Sequence, residues 1–195
     1  HFMNRLIHQT KPKFIFMVTK NNESGRAKCL DYFNVEQKKD EDEPKTYDLG
    51  TLDGSKRVKL KYKVSEEGDL EVRNIEIQES DVKLTEDITH YFYKQWPDHG
   101  VPEQEAKDPK SGEMVKTFLY EEKFLRMIKD SVDYLNGEFQ TVKRPILVHC
   151  SAGVGRTGTF IMMVELTRIY LKSINKPENK GIIEYNTKHS YSFLN

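Results

Sequence analysis

The chain has 195 residues, of which 31 are basic and 31 acidic, so its formal net charge is zero. This balance lacks the basic footprint of a protein that binds nucleic acid. Two cysteines, Cys29 and Cys150, are too few for a disulfide scaffold and suit a reducing compartment. No apolar run is long enough to span a membrane, and the first residues lack the layout of a signal peptide. We therefore expect one domain with a buried core.

The hydrophobic pattern of the first quarter predicts a helix, two strands and a loop. Apolar residues at helical spacing predict the helix over residues 2–9, and a short apolar run predicts a buried strand over 13–19. Residues 29–33 are a weaker strand candidate. The charged run 36–45 is typical of a solvated loop.

The middle of the chain predicts antiparallel strands. Apolar and polar residues alternate from residue 46 to 78, and turn residues such as Asp53-Gly54 interrupt them, which is typical of hairpins. The aromatic stretch 88–96 predicts another strand. Residues 103–117 are polar and charged, so we expect a loop there.

The last third predicts helices around one short strand. Residues 118–135 have the spacing of an amphipathic helix, and 145–148 are a fully apolar strand. Residues 155–171 are apolar around most of the circumference of a helix, so we expect that helix to be buried. A last helix is expected to begin over 181–188. Strands occur both in hairpins and beside helices, which indicates an α/β domain with a mixed sheet covered by helices.

The segment that follows the short apolar strand carries the most chemical information. The strand ends at Cys150, small residues fill the turn 151–155, and Arg156 lies where a helix opens. Small residues let successive backbone N–H groups point into one concavity, and a helix N-terminus adds unpaired N–H groups. The Arg156 guanidinium is a planar fork that matches two phosphate oxygens. A cysteine on the floor of such a concavity is expected to have a lowered pKa and to attack a bound phosphate.

Residues 149–157, HCSAGVGRT, resemble the signature of the protein tyrosine phosphatases, His-Cys-x5-Arg-[Ser/Thr]. The resemblance implies that Cys150 is the nucleophile and that Arg156 binds the phosphate. It also implies that Thr157 donates a hydrogen bond to the departing thiolate and that His149 supports the thiolate. The substrate phosphate would in addition lie on the backbone of Ser151, Ala152, Gly153, Val154 and Gly155.

Two upstream segments resemble loops of the same family. Residues 96–102, WPDHGVP, are similar to the mobile Trp-Pro-Asp-x-Gly loop. This similarity implies that Asp98 is the general acid and contacts the substrate, with Trp96 in support. Residues 23–29, ESGRAKC, are similar to the Glu-x-Gly-Arg-x-Lys-Cys loop, in which the glutamate supports the signature arginine and the lysine lies near the acid loop. Glu23 and Lys28 are the corresponding residues.

The resemblance covers nearly the whole chain, from about Met3 to Asn195. It implies one catalytic domain over residues 1–195, with a twisted mixed β-sheet flanked by α-helices. The family's Asn-Arg-Tyr loop and its glutamine loop have no match, so the domain is expected to be truncated at both ends.

The implied function is hydrolysis of phosphotyrosine in proteins through a cysteinyl-phosphate. Its partners would be phosphotyrosine-containing proteins, without nucleic acid or membrane insertion, and the domain would be a monomer. It would lie in the cytoplasm, alone or as the intracellular domain of a larger protein. No pair of histidines has metal-ligand spacing together with a cysteine or carboxylate partner, so we expect no metal or other cofactor. His90 is one of several scattered histidines for which we expect no special role.

Two alternative functions remain open. One is a phosphotyrosine-binding module with weak catalysis, although such modules usually lose the cysteine, the arginine or the aspartate. The other is a dual-specificity phosphatase, although the segments 23–29 and 96–100 favour the tyrosine-specific class.

Overall fold

The computed structural model describes the chain over residues 2–33, 45–51, 57–66, 68–80, 82–98, 100–102, 104–108, 110–117, 122–137 and 144–174. These residues form three helices, which are α1 (Phe2–Thr10), α2 (Glu122–Asn136) and α3 (Gly155–Ile174). They also form ten strands, which are β1 (Phe14–Met17), β2 (Asn22–Glu23), β3 (Arg26–Ala27), β4 (Lys45–Thr51), β5 (Arg57–Glu66), β6 (Leu70–Glu79), β7 (Val82–Tyr93), β8 (Gln104–Lys107), β9 (Met114–Thr117) and β10 (Ile146–His149). None of the helices in these ranges has both the length and the apolarity that a membrane span requires.

Six strands form one mixed sheet in the order β10-β1-β7-β6-β5-β4. β1 pairs in parallel with β10 on one side and with β7 on the other. β7, β6, β5 and β4 continue the sheet as antiparallel neighbours. The predicted α/β class and the antiparallel hairpins expected between residues 46 and 78 are therefore confirmed.

β1 lies in the parallel part of the sheet and divides its side chains between two cores. All four of its residues are buried, as expected for a parallel strand with both faces covered. Phe14 and Phe16 face the core that includes α2 and α3. Ile15 and Met17 face the opposite core, which includes Ile7 of α1. This alternation places a helical layer against each face of the sheet.

Residues 29–33 do not form the predicted strand. The backbone N–H groups of Lys28 and Cys29 donate to the Asn21 carbonyl and close a loop. Tyr32 and Phe33 then place their rings in the core. The apolar pattern here reflects side-chain burial, not strand pairing.

The polar loop expected over residues 103–117 contains a hairpin instead. β8 and β9 pair in antiparallel. The Asp108 carboxylate accepts hydrogen bonds from the backbone N–H groups of Lys110 and Ser111 in the turn between them. Turn chemistry of this kind allows a polar segment to form a hairpin.

Helix α3 is buried on one side only, although its sequence predicts burial all round. Phe160 and Val164 pack against the sheet, and a straight helix on a sheet can bury only the side that faces it. Apolar side chains on the other side are 43–63% exposed, namely Ile161, Met162, Leu166, Ile169 and Tyr170. The loop expected over residues 36–45, except Lys45, and the helix expected over 181–188 lie outside the described residues.

Phe16 joins β1 to β7 and to α3, so its truncation should destabilise the fold. It is fully buried, and its ring lies 5.0 Å from Tyr91 and 4.8 Å from Phe160, centroid to centroid. Phe16→Ala should lower the free energy of unfolding by about 3–5 kcal/mol. Urea denaturation measures this change. Leu30→Ala, at a side chain that is 86% exposed, should change it by less than about 0.5 kcal/mol. Equal losses in the two variants would contradict this packing.

Candidate active site

The three sequence motifs meet because they follow three neighbouring parallel strands. β10, β1 and β7 run in the same direction, so their carboxyl ends lie at one edge of the sheet. Residues 150–155 follow β10, residues 20–28 follow β1, and residues 94–100 follow β7. Ligands of open α/β sheets bind in the crevice beyond such ends. The topology therefore places the motifs around one crevice.

Cys150 begins the loop between β10 and α3, and this loop forms the floor of a cavity. Gly153 has a φ of 75°, a left-handed conformation that is costly for other residues. A cavity of about 420 Å³ is lined in part by Lys28, Asp98, Cys150, Ser151, Ala152 and Arg156. Gly155 lines it as well, together with Trp96, the glycine Gly100 of the same loop, and Thr159, to which the sequence assigned no role. Of the predicted loop residues, Val154 has a side chain that is 76% exposed.

The pKa of the Cys150 thiol is lowered below its usual value. Burial acts to raise this pKa, but hydrogen bonds from the Thr157 hydroxyl and from the Thr157 and Gly153 backbone N–H groups outweigh it. The charge of Arg156 acts in the same direction. The buried Thr157 hydroxyl has no other hydrogen-bond partner among the described residues, so its hydrogen is available to the sulfur. The loop thus favours a thiolate.

Arg156 is held in place by the other two loops. Its Nη1 donates to Glu23 Oε1 at 2.5 Å and to the Trp96 carbonyl at 2.9 Å, and its Nη2 lies 3.3 Å from Glu23 Oε2. The pKa of Glu23 is lowered. Burial raises it, but the Arg156 hydrogen bond and charge, with further hydrogen bonds from Lys20 and Thr19, outweigh burial. The ionised carboxylate therefore fixes a guanidinium that is buried in its own right.

Asp98 lies between Lys28 and Arg156 and lines the cavity with a partly exposed side chain. Its Oδ2 accepts a hydrogen bond from Lys28 Nζ at 2.6 Å, and its Oδ1 is 3.8 Å from Arg156 Nη2. The Trp96 ring is buried and its indole N–H donates to the Gly100 carbonyl at 2.9 Å. A Cβ at Gly100 would lie 2.7 Å from Pro97 Cγ, so this turn requires glycine. Trp96 thereby anchors a loop whose carboxylate is exposed.

A second and larger cavity shares a wall with the first. It measures about 750 Å³, and Trp96 and Asp98 line both cavities, whereas Cys150 lines only the smaller one. The larger cavity extends instead past Lys20 and Lys94. Trp96 and Asp98 therefore lie between the two cavities.

His149 connects the site with the core through Tyr32 and His90. The Tyr32 hydroxyl lies 2.8 Å from Nε2 of His149 and 2.8 Å from Nε2 of His90. His149 Nδ1 is 3.4 Å from the Cys150 carbonyl. Sequence reasoning did not connect Tyr32 or His90 with the site, since they are far apart along the chain and form no local motif. Within the described ranges, no group of three metal-binding side chains occurs.

Cys150 and Cys29 should be alkylated with different pH dependences. The pKa of Cys150 is lowered, whereas burial and, secondarily, the Asp31 charge raise the pKa of Cys29. Because the thiolate is the reactive form, iodoacetamide should label Cys150 at a lower pH than Cys29. Peptide mass spectrometry measures the two rates in one sample. Labelling of Cys29 first would contradict the assigned loop electrostatics.

Replacement of Glu23 should destabilise the fold in a pH-dependent way. Its folded pKa is lowered, so the ionised group contributes stability above its unfolded value, about 4.3, and this contribution is lost as pH falls through the folded pKa. Glu23→Gln should cost about 1–3 kcal/mol at pH 7 and progressively less towards pH 3. Urea denaturation across this range measures it. Glu165→Gln, which breaks an exposed pair with Arg168, should cost less than about 1 kcal/mol. A cost of Glu23→Gln that does not change with pH would contradict the ion pair.

Comparison with known proteins supports these similarities. The sequence model of a family described as protein-tyrosine phosphatase matches residues 4–185. Tyrosine-protein phosphatase 3 of Schizosaccharomyces pombe is 32% identical over 164 residues, which are 83% of this chain and 45% of that protein. Human receptor-type tyrosine-protein phosphatase eta is 30% identical over 201 residues, covering 98% of this chain and 13% of that protein. The chain thus spans less than half the length of these relatives.

A solved structure shows the same fold. It is described as the structural basis of the PTPN18 fingerprint on distinct HER2 tyrosine phosphorylation sites. It is 24% identical, has a TM-score of 0.56, and the match covers 91% of this chain and 51% of that one. Because the family match spans the whole sheet and all three loops at its parallel edge, the chain belongs to the protein-tyrosine phosphatase family.

Proposed function

We propose that this chain hydrolyses phosphotyrosine in proteins, with Cys150 as nucleophile and Asp98 as general acid and base. The observation that carries the proposal is a thiol with a lowered pKa on the floor of the cavity that Arg156 and Asp98 also line. Membership of the protein-tyrosine phosphatase family supports the reaction class.

The first step transfers the phosphoryl group to sulfur. The phosphate binds to the Arg156 fork and to backbone N–H groups of residues 151–155. The Cys150 thiolate attacks phosphorus, and the bond from phosphorus to the tyrosine oxygen breaks. Asp98, in its protonated form, gives its proton to that oxygen, so the phenol leaves neutral. The bound phosphate charge beside Asp98 favours the protonated acid.

The second step hydrolyses the cysteinyl-phosphate. Water attacks phosphorus while the Asp98 carboxylate takes its proton, and the sulfur–phosphorus bond breaks to release phosphate. The Thr157 hydroxyl donates to the departing thiolate, for which its buried position beside the sulfur is suited. Fixed charges and donors supply most of the rate, since Glu23 and Trp96 hold Arg156 before substrate arrives.

The proposal extends to substrate and setting. We infer that residues 1–195 act as one monomeric catalytic domain on phosphotyrosine-containing proteins in the cytoplasm, alone or as part of a larger chain. The PTPN18 structure with HER2 tyrosine phosphorylation sites supports this substrate class by analogy of fold. No metal or other cofactor takes part in either step, so turnover should persist in EDTA.

Cys150→Ser tests the nucleophile. Turnover of a phosphotyrosine peptide should fall below detection, because a serine hydroxyl at neutral pH lacks the nucleophilicity of a thiolate. Phosphopeptide binding, measured by calorimetry, should be largely kept, because Arg156 and the backbone hold the anion. Cys29→Ser, at a thiol that does not line the cavity, is the matched control and should keep its activity. Detectable turnover by the Cys150 variant would remove Cys150 from the mechanism.

A matched phosphoserine peptide separates the alternatives. The wild type should hydrolyse the phosphotyrosine peptide much faster than the phosphoserine peptide of the same sequence. Similar rates would favour a dual-specificity phosphatase. Binding of phosphotyrosine without turnover would favour a binding module, which the presence of Cys150, Arg156 and Asp98 together argues against.

Asp98→Asn tests the general acid. The rate constant kcat for a phosphotyrosine peptide should fall by about 10²–10⁴, because the tyrosine phenolate is a poor leaving group without a proton. For p-nitrophenyl phosphate, whose leaving group is a weaker base, the loss should be smaller. Asp108→Asn, in the β8–β9 turn, should leave both rates unchanged. Equal losses on the two substrates would assign the acid to another residue.

A further inference from the structure

The chain of hydrogen bonds from His90 to Cys150 crosses three elements. His90 lies on β7 and is fully buried, Tyr32 lies in the loop after β3, and His149 ends β10. The Tyr32 hydroxyl touches Nε2 of both histidines at 2.8 Å. His149 Nδ1 then reaches the Cys150 carbonyl at 3.4 Å. A group deep in the core is therefore linked to the backbone of the residue that we propose as nucleophile.

The protons in this chain can be assigned by counting donors. The Tyr32 hydroxyl has one hydrogen, so it donates to one histidine and accepts from the other. A neutral histidine carries its hydrogen on only one ring nitrogen. The two histidines must therefore hold complementary tautomers, and the choice at one end of the chain sets the choice at the other.

The groups at both ends of this hydrogen-bond chain indicate the same direction of donation. The Cys150 carbonyl can only accept, so His149 must carry its hydrogen on Nδ1 and leave Nε2 to accept from Tyr32. At the other end, Nδ1 of His90 is buried without a partner among the described residues. Buried orphan N–H groups are rare, so His90 carries its hydrogen on Nε2 and donates it to Tyr32. The hydrogen bonds thus run from His90 through Tyr32 to His149.

Burial favours the neutral form of both imidazoles, as this assignment requires. Burial lowers the pKa of His90 well below its usual value, and the charges of Arg73 and His149 act in the same direction. Among the described residues, Arg73 on the neighbouring strand β6 is the permanently charged side chain that lowers the pKa of His90. Burial also lowers the pKa of His149, although its hydrogen bond to the Cys150 carbonyl acts against this.

We propose that His90 is a positioning residue that acts through Tyr32 to hold His149 as the Nδ1–H tautomer and so orients the Cys150–Ser151 peptide. In the other tautomer, a ring lone pair would face the Cys150 carbonyl oxygen and repel it. Because C=O and N–H point in opposite directions in a trans peptide, a carbonyl held by His149 also fixes the direction of the Ser151 N–H. Ser151 lines the same cavity as Cys150 and Arg156.

The proposal rests on the proposed function only for its effect on turnover. The tautomers of His90 and His149 and the reactivity of the Cys150 thiol can be measured in a protein that has no phosphatase activity. Failure of the phosphatase reaction and failure of this inference are therefore distinguishable.

Nitrogen-15 NMR of the histidine rings tests the tautomers directly in the wild-type chain. Long-range proton–nitrogen spectra at neutral pH, assigned with His90 and His149 variants, should show His149 protonated on Nδ1 and His90 on Nε2. The reverse pair of tautomers, or a doubly protonated His149, would overturn the proposal. This measurement decides the question even if a substitution at His90 prevents folding.

Alkylation of Cys150 tests the consequence for the loop. His90→Phe removes the hydrogen bond between His90 and Tyr32, and Tyr32→Phe removes those that Tyr32 makes with both histidines. In each variant the pH midpoint of Cys150 alkylation should rise by roughly 0.5–1 unit, which corresponds to the free energy of about one hydrogen bond. The double variant should match Tyr32→Phe alone, because His90 acts through Tyr32. His90→Gln keeps an N–H donor at a similar reach and should restore most of the shift. Peptide mass spectrometry separates Cys150 from Cys29.

Phe92→Leu is the matched control, since Phe92 is buried in the same core as Tyr32, packs on Phe33 and takes no part in the hydrogen bonds that link His90, Tyr32, His149 and Cys150. It should lower the melting temperature without moving the alkylation midpoint. A midpoint that moves equally in Phe92→Leu would make His90 a packing residue only. An unchanged midpoint in His90→Phe, or additive shifts in the double variant, would also overturn the proposal.

Discussion

The parallel pairing of β1 with both β10 and β7 is the constraint on which the site depends. Parallel neighbours share a direction, so the loops that follow them must leave the sheet at the same edge. An antiparallel β7 would carry Asp98 to the opposite edge, far from Cys150. The antiparallel strands β6, β5 and β4 contribute to the core and bring no motif to this edge. The apolar sequence of β1 lets it lie buried between β10 and β7, and this position brings the three loops together.

Arg156 connects the three loops through hydrogen bonds and an ion pair. It belongs to the loop after β10, pairs with Glu23 after β1 and donates to the Trp96 carbonyl after β7. A buried guanidinium without Glu23 would be costly, and a carboxylate that directly occupied the phosphate site would compete with substrate. Glu23 avoids both problems. It pairs with the guanidinium, and it does not itself line the cavity of Cys150.

The sequence was informative where structure is local. The turn at 150–156 and the loop at 96–100 are each a single short stretch of sequence, so their shape follows from small residues, proline and glycine within a few positions. Burial was harder to predict, because it depends on what else covers a face. α3 is apolar nearly all round, and yet Ile161 and Met162 are exposed, while polar β8 and β9 form a hairpin. The link from Tyr32 to His90 joins residues 58 apart, and such pairs leave no local pattern.

If His90 positions His149 as we propose, the loop after β10 is tuned by a group that does not touch it. A hydrogen bond transmits a choice of tautomer without loss along a chain in which each member has one proton to give. The fully buried His90 exchanges little with water, so its tautomer is set by the fold, not by solvent. The core can therefore determine the direction of a peptide dipole beside the Cys150 sulfur. Packing on one face of β7 and reactivity at the end of β10 are in this way parts of the same structure.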